Sequence, residues 1–408
     1  MSSAPALMPA ERRVLLLLAA VQFVNIVDFM MVMPLGPDFA RELGIAPDKL
    51  GVIGGSYTAA AAVAGVLGST FLDRFDRRNA LLLANLGLAL GTAAAALAEG
   101  LGGLLAARVL AGLFGGPATA LTYAVVTDLI PPERRGRAMG VVMGAFSIAS
   151  VLGVPAGLEL ARMGGWRMPF LVVAGAGLAV GLLSRALLPP MRGHLDRGAP
   201  AGPLAELLGR PLVLGALALN FSGLLARFSL IPFISAFVVL NLGLPREDLG
   251  GLYMLGGLAS LLTLRVVGPM VDRVGMMRVY WAATVALTIT TGLAFLIEPP
   301  ILPPTLLFPL FMASTSGANV ALQTLFAAVP RPPERARYQS AQSAVQHLGA
   351  AAGASLGTLL LDGVDPTRLE GVPRIALFSM AITLLLPLGA AWVQGRLRAA
   401  PAPAAPLG

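Results

Sequence analysis

Cysteine is absent from this sequence, which excludes disulfides, thiolate metal sites and a cysteine nucleophile. Histidine is nearly absent: His194 and His347 are too few and too far apart to form a metal site. The only lysine is Lys49, and no GxxxxGK[ST] run occurs, so no nucleotide-binding loop is encoded. Charge is scarce as well. Only 12% of the residues are charged against 56% hydrophobic, about half the charged share of an ordinary soluble domain. That shortage cannot cover a soluble globule, but it suits a surface that faces lipid. The formal charge of +8 is carried by arginines set singly or in pairs between apolar runs. No basic stripe for nucleic acid is present. A cleavable signal peptide is not expected either, because Glu11-Arg12-Arg13 leads into a run too long for an h-region.

A bilayer-spanning helix needs about 20 mostly apolar residues. Twelve such runs occur, named spans 1 to 12 in order: 14–36, 50–72, 79–98, 102–127, 138–159, 168–188, 211–240, 249–270, 279–297, 302–329, 338–361 and 373–394. The expected fold is an all-α polytopic membrane protein. With the N-terminus cytoplasmic, 19 of the 29 basic residues fall on cytoplasmic segments, which places both termini inside.

The longest polar break, 189–210, divides the runs into six and six, and the halves repeat. STFLDRFDRR (Ser69–Arg78) recurs as GPMVDRVGMM (Gly268–Met277), PPERRGR at Pro131 as PPERAR at Pro332, and Gly153 and Gly157 as Gly353 and Gly357, each at an offset near 200. Five segments follow: a cytoplasmic N-terminal segment 1–13, a six-helix bundle 14–188, a cytoplasmic linker 189–210, a second bundle 211–394 and a cytoplasmic tail 395–408. Two pseudo-symmetric bundles of this kind match the repeat architecture of transporters that rock about a midplane site.

At this point the chain resembles the major facilitator superfamily over roughly residues 10–398. The loop after span 2 is similar to the family's G-x-L-x-D-R-x-G-R-R, with Asp73, Arg74, Arg77 and Arg78 matching and Ser69 and Asp76 departing. RVLAG (Arg108–Gly112) resembles the R-x-x-x-G of span 4. Gly153, Pro155 and Gly157 resemble the span 5 motif of antiporters, and Asp28 followed by MPLGP the drug/proton antiporter branch. The resemblance implies a conformational latch: Asp73 at the start of span 11, Arg77 and Arg78 on acids such as Asp128, and Asp272 with Arg273 near span 5. It also implies that spans 1, 4, 7 and 10 line a cavity. The glycines of span 5 read either as ordinary small-residue packing or as a bendable contact with span 8.

Charges inside spans are costly, at least ~2.5 kcal/mol each on insertion scales, and mark function. At ~1.5 Å per residue, Asp28, Arg108 and Arg227 reach a similar depth. A structural ion pair or snorkelling toward the interface is the plainer reading of the arginines. The functional reading makes Asp28 and Arg108 the proton-coupling pair. Gln22, Asn25 and Asp28 share one face of span 1. With Arg108, Tyr123, Asn220, Arg227, Asn319, Gln323, Gln346 and His347 they form the expected substrate cavity, although interhelical hydrogen bonding accounts for many such side chains. For His347 a packing role is favoured over titration.

The expected function is proton-coupled efflux of small amphipathic or drug-like compounds by alternating access. The alternatives are export of a sugar or metabolite, or a non-transporting sensor or scaffold. The expected protein is a monomer in the bacterial inner membrane. It is not an enzyme and needs no cofactor beyond a proton gradient.

Overall fold

The computed structural model describes residues 8–71, 75–192, 204–331, 334–362 and 368–399. Asp73 and Arg74 of the expected latch, and His194, lie outside them. The helices are α1 (Pro9–Met31), α2 (Gly36–Leu43), α3 (Leu50–Phe71), α4 (Arg77–Ala96), α5 (Leu101–Leu129), α6 (Pro132–Ile148), α7 (Val154–Gly164), α8 (Arg167–Leu187), α9 (Leu204–Leu208), α10 (Pro211–Leu230), α11 (Ile234–Leu240), α12 (Leu249–Val274), α13 (Met276–Phe295), α14 (Pro304–Ala328), α15 (Arg335–Leu360) and α16 (Val372–Ala399). α6 and α7, joined by a π-helical segment Ala149–Gly153, form span 5; α10 and α11 form span 7. Among the described residues, nine spans are long and apolar enough to cross a bilayer unaided. α3, α13 and α15, of 22, 20 and 26 residues, complete the twelve.

Local sequence sets the ends of these helices. Asp76 caps α4 by accepting the Arg78 amide at 2.9 Å. Gly275, at φ 97°, makes the reversal from α12 into α13, a conformation that side chains with a Cβ resist. The M-P-L-G-P stretch ends α1 at Met31, five residues before the expected end of span 1, and restarts the chain as α2. In span 5 the π segment runs on into α7 with Gly153 and Val154 still helical, so Pro155 lies inside a continuous helix just after the widened turn.

The packing repeats with the sequence. α3 and α4 pack on α5 and α8 as α12 and α13 pack on α14 and α16, and α1 packs on α6 and α8 as α10 packs on α15 and α16. Leucines such as Leu16, Leu90, Leu187, Leu359 and Leu385 stand more than half exposed around the outside, the surface a lipid solvent requires.

The twelve spans make the chain a membrane protein with both termini at one end, called here the near end. The buried apolar core is organised by depth. At the far end one cluster runs through both halves, from Phe39, Trp166 and Phe170 to Phe233, Phe237 and Phe295. Toward the near end it splits into two, one around Leu18, Leu121 and Val125, the other around Leu217, Tyr280 and Leu322. The halves are therefore closed on each other at the far end and packed separately at the near end.

Candidate functional site

The R-x-x-x-G of α5 has a direct physical reading. A Cβ on Gly112 would lie 2.2 Å from the Tyr57 carbonyl, and one on Gly115 2.2 Å from the Tyr57 hydroxyl. Glycine at both positions lets α5 press onto the α3 backbone, which brings Arg108 over the Tyr57 ring, 4.6 Å from its centroid. From there Arg108 Nη1 donates to both carboxylate oxygens of Asp28, at 3.0 and 3.1 Å, and Nη2 to the Asp28 carbonyl at 3.4 Å. Thr92 of α4 donates to Asp28 Oδ1 at 2.7 Å. Asp28 is 0% and Arg108 1% exposed.

The other polar residues on that face of α1 turn the same way. Tyr57 donates to Asn25 Oδ1 at 2.7 Å, while Asn25 Nδ2 donates to the Gly115 carbonyl at 2.8 Å and to Thr119 at 3.0 Å. Gln22 donates to Tyr123 at 3.4 Å. Gln22, Asn25 and Asp28 thus share one face, as their spacing predicts. That face is sealed against α5 within the first bundle and does not line open space in this conformation. A carboxylate at this depth needs a full set of donors, and the nearest ones lie on α4 and α5.

Arg227 does not join this cluster. Its Nη1 donates to Asn319 of α14, and no carboxylate lies within ion-pair distance among the described residues. It is half-buried. Nearer the near end the second half is polar without being acidic. Asn220 donates to the Gln342 carbonyl and Gln342 Nε2 to Gln323 Oε1, both at 3.5 Å. Gln346 and His347 are half-buried on α15, and Gln323, Gln339 and Ser340 are exposed.

Two further contacts join the halves at the far end. Phe29 stacks on Tyr57 at 5.4 Å and on Phe228 of α10 at 5.9 Å. Arg246, before α12, donates through Nε (2.8 Å) and Nη2 (2.5 Å) to Asp38 of α2, which also meets Arg41 at 3.3 Å. Sequence reading passed over Asp38 and Arg246, which look like ordinary loop charges. It passed over Thr92 too, since a lone threonine in an apolar run carries no signal.

Of the expected latch residues that are described, Arg77 pairs with Asp128 at 2.6 Å and Arg78 donates to the Leu188 carbonyl at 3.3 Å. Asp272 and Arg273 are exposed at the end of α12. Asp76 is held below the usual carboxylate range: burial pushes it up, but the amides of Met191, Arg78 and Asn79 and the Arg78 charge outweigh that.

The expected contact of the span 5 glycines with span 8 needs correction. A Cβ on Gly153 would meet Val27 Cγ2 at 2.4 Å and one on Gly157 would meet Met31 Cβ at 3.5 Å, so both glycines pack on α1. The approach to span 8 is made from the other side: Gly257 of α12 lies against Val151 and the Ser150 carbonyl. Glycine lies where two backbones close, and here that is on the partner helix.

Three kinds of comparison bear on this geometry. Over 263 residues the chain is 29% identical to a chloramphenicol efflux pump of Mycobacterium tuberculosis, a stretch covering 63% of each protein. It is 27% identical over 343 residues to the chloramphenicol resistance protein of Streptomyces lividans, covering 83% of this chain and 86% of that one. The chain thus aligns with less than two thirds of the mycobacterial pump's length. In fold it is similar to a bacterial homolog of the human lysosomal transporter Spinster, with a TM-score of 0.72 at 18% identity over 96% of this chain and 98% of that one. The profile of the Major Facilitator Superfamily matches residues 18–354 and, in a second register, 224–406, so the chain belongs to that superfamily of membrane transporters.

Proposed function

We propose that the protein is a secondary active exporter that moves small amphipathic compounds from the near end, taken as cytoplasmic, to the far end, and that proton exchange at Asp28 drives it. The observation that carries this reading is the Asp28–Arg108 pair, a carboxylate and a guanidinium at membrane depth with no solvent contact. A fully desolvated pair is expensive, and hydrophobic residues of similar volume would pack there more cheaply. A proton arriving at Asp28 cancels its charge, frees Arg108 and removes an acceptor from Thr92. That switch is local and electrostatic, beside an aromatic stack that touches the other half. The similarity to bacterial efflux pumps supports the direction of transport and a bacterial inner membrane, and the arginine distribution supports both termini being cytoplasmic.

Efflux is tested in proteoliposomes under an imposed pH gradient with a panel of chloramphenicol-like and other amphipathic compounds. Asp28→Asn, close in shape to the protonated acid, is expected to abolish uphill export while leaving downhill exchange. Wild-type pumping by Asp28→Asn refutes Asp28 as the carrier. Export of a sugar or other metabolite is the second reading, favoured by the amides of Asn220, Asn319, Gln323 and Gln342.

A further inference from the structure

The membrane-spanning interior carries a charge imbalance that the proton-exchange reading leaves unused. Among the described residues Asp28 is the carboxylate at membrane depth, and Arg108 and Thr92 saturate it. Arg227 is a second deep cation. Among the described residues its side-chain hydrogen-bond partner is the neutral amide of Asn319, and the polar side chains of that half nearer the near end, Asn220, Gln342, Gln323, Gln346 and His347, bring no acid. A guanidinium buried away from both water and counter-ion would be costly, yet Arg227 is only half-buried. It is therefore partly accessible, a fixed positive charge without a fixed negative one among the described residues. Guanidinium groups bind carboxylates, sulfonates and phosphates through paired, charge-assisted hydrogen bonds. Phe228, the next residue, stacks with Phe29 and offers an aromatic surface beside that charge.

Resting on the export reading, we propose that Arg227 anchors the acidic head group of the transported compound, so that the preferred substrate is a monoanionic amphiphile and cations are excluded. Asn319 holds the guanidinium in place and turns its own amide N–H toward the same anion.

The test uses three probes matched in apolar body: 4-butylbenzenesulfonate, 4-butylbenzenesulfonamide and (4-butylphenyl)trimethylammonium. Binding is measured by isothermal titration on the purified full-length protein. Wild type is expected to bind the sulfonate at least about tenfold more tightly than the ammonium, a difference of about 1.4 kcal/mol. Arg227→Gln should remove that preference, and Arg227→Lys should keep part of it. Asn319→Asp, which supplies the missing carboxylate and so favours folding, should also remove it. Equal or tighter binding of the ammonium by wild type, a sulfonate preference that survives in both Arg227→Gln and Asn319→Asp, or no measurable binding of any probe overturns the proposal. Flux of the same probes separates it from the export reading. Pumping with a preference for the cation sinks the anion anchor alone. Arg227-dependent sulfonate binding without pumping sinks export alone.

Discussion

At the repeat offset of 200, Asp28 and Arg108 of the first bundle correspond to Phe228 and Phe308 of the second, and Arg227 corresponds to Val27. One helix contact near these positions is nonetheless repeated. Gly153 seats span 5 on span 1, and Gly353, whose Cβ would lie 2.4 Å from the Leu225 carbonyl, seats span 11 on span 7. Duplication kept the places where these helices meet, and at Gly353 an added Cβ would run into backbone. It did not keep the polar chemistry, which depends on a few side chains that can change without moving a helix. One half holds a closed ion pair and the other a cation with neutral neighbours, on a shared scaffold.

The largest effect should come from breaking the first half's pair. Arg108→Leu leaves a buried carboxylate without its counter-ion and is expected to cost about 3–5 kcal/mol. Arg227→Leu removes a half-buried donor from a neutral partner and should cost about 1 kcal/mol. Denaturant unfolding of both variants in detergent checks the ratio. Equal costs would mean that the two arginines are held alike and that the contrast between the halves fails.

The glycines sharpen the comparison at the level of the scaffold. Gly353→Ala drives a methyl into a backbone carbonyl, whereas Gly153→Ala meets the end of a valine side chain. Overpacking costs about 1–3 kcal/mol, and Gly353→Ala should lie at the upper end with Gly153→Ala at the lower. The same unfolding measurement decides it, and the reverse order would place the tighter helix contact in the first half.

The smallest difference concerns acid. α4 begins at Asp76, whose side chain caps it, while α13 begins at Gly275 with no side-chain cap. The Asp76 carboxyl is depressed in the folded protein. Its contribution is therefore fully present at and above the ordinary carboxylate range, near pH ~4, and is lost as pH falls through the depressed value. Asp76→Ala should lower stability by about 1 kcal/mol at neutral pH and flatten the decline below pH ~4. Melting temperatures of wild type and variant between neutral and acid pH provide the check, and parallel curves would remove Asp76 from the account.

The membrane class, the twelve spans and the duplication were legible in the sequence, because they rest on quantities that add along the chain: apolar length, scarcity of charge and spacing. The shared face of Gln22, Asn25 and Asp28 was legible too, since helical periodicity fixes it. What that face looks at was not. Only the packed structure sealed it against α5 with Thr92 and Tyr57, set Arg227 apart with Asn319, joined Asp38 to Arg246 across 208 residues of chain and turned the span 5 glycines toward α1. Each of those outcomes depends on which helices meet and on how closely two backbones approach. Residues far apart in the chain decide that together, and no local pattern records it.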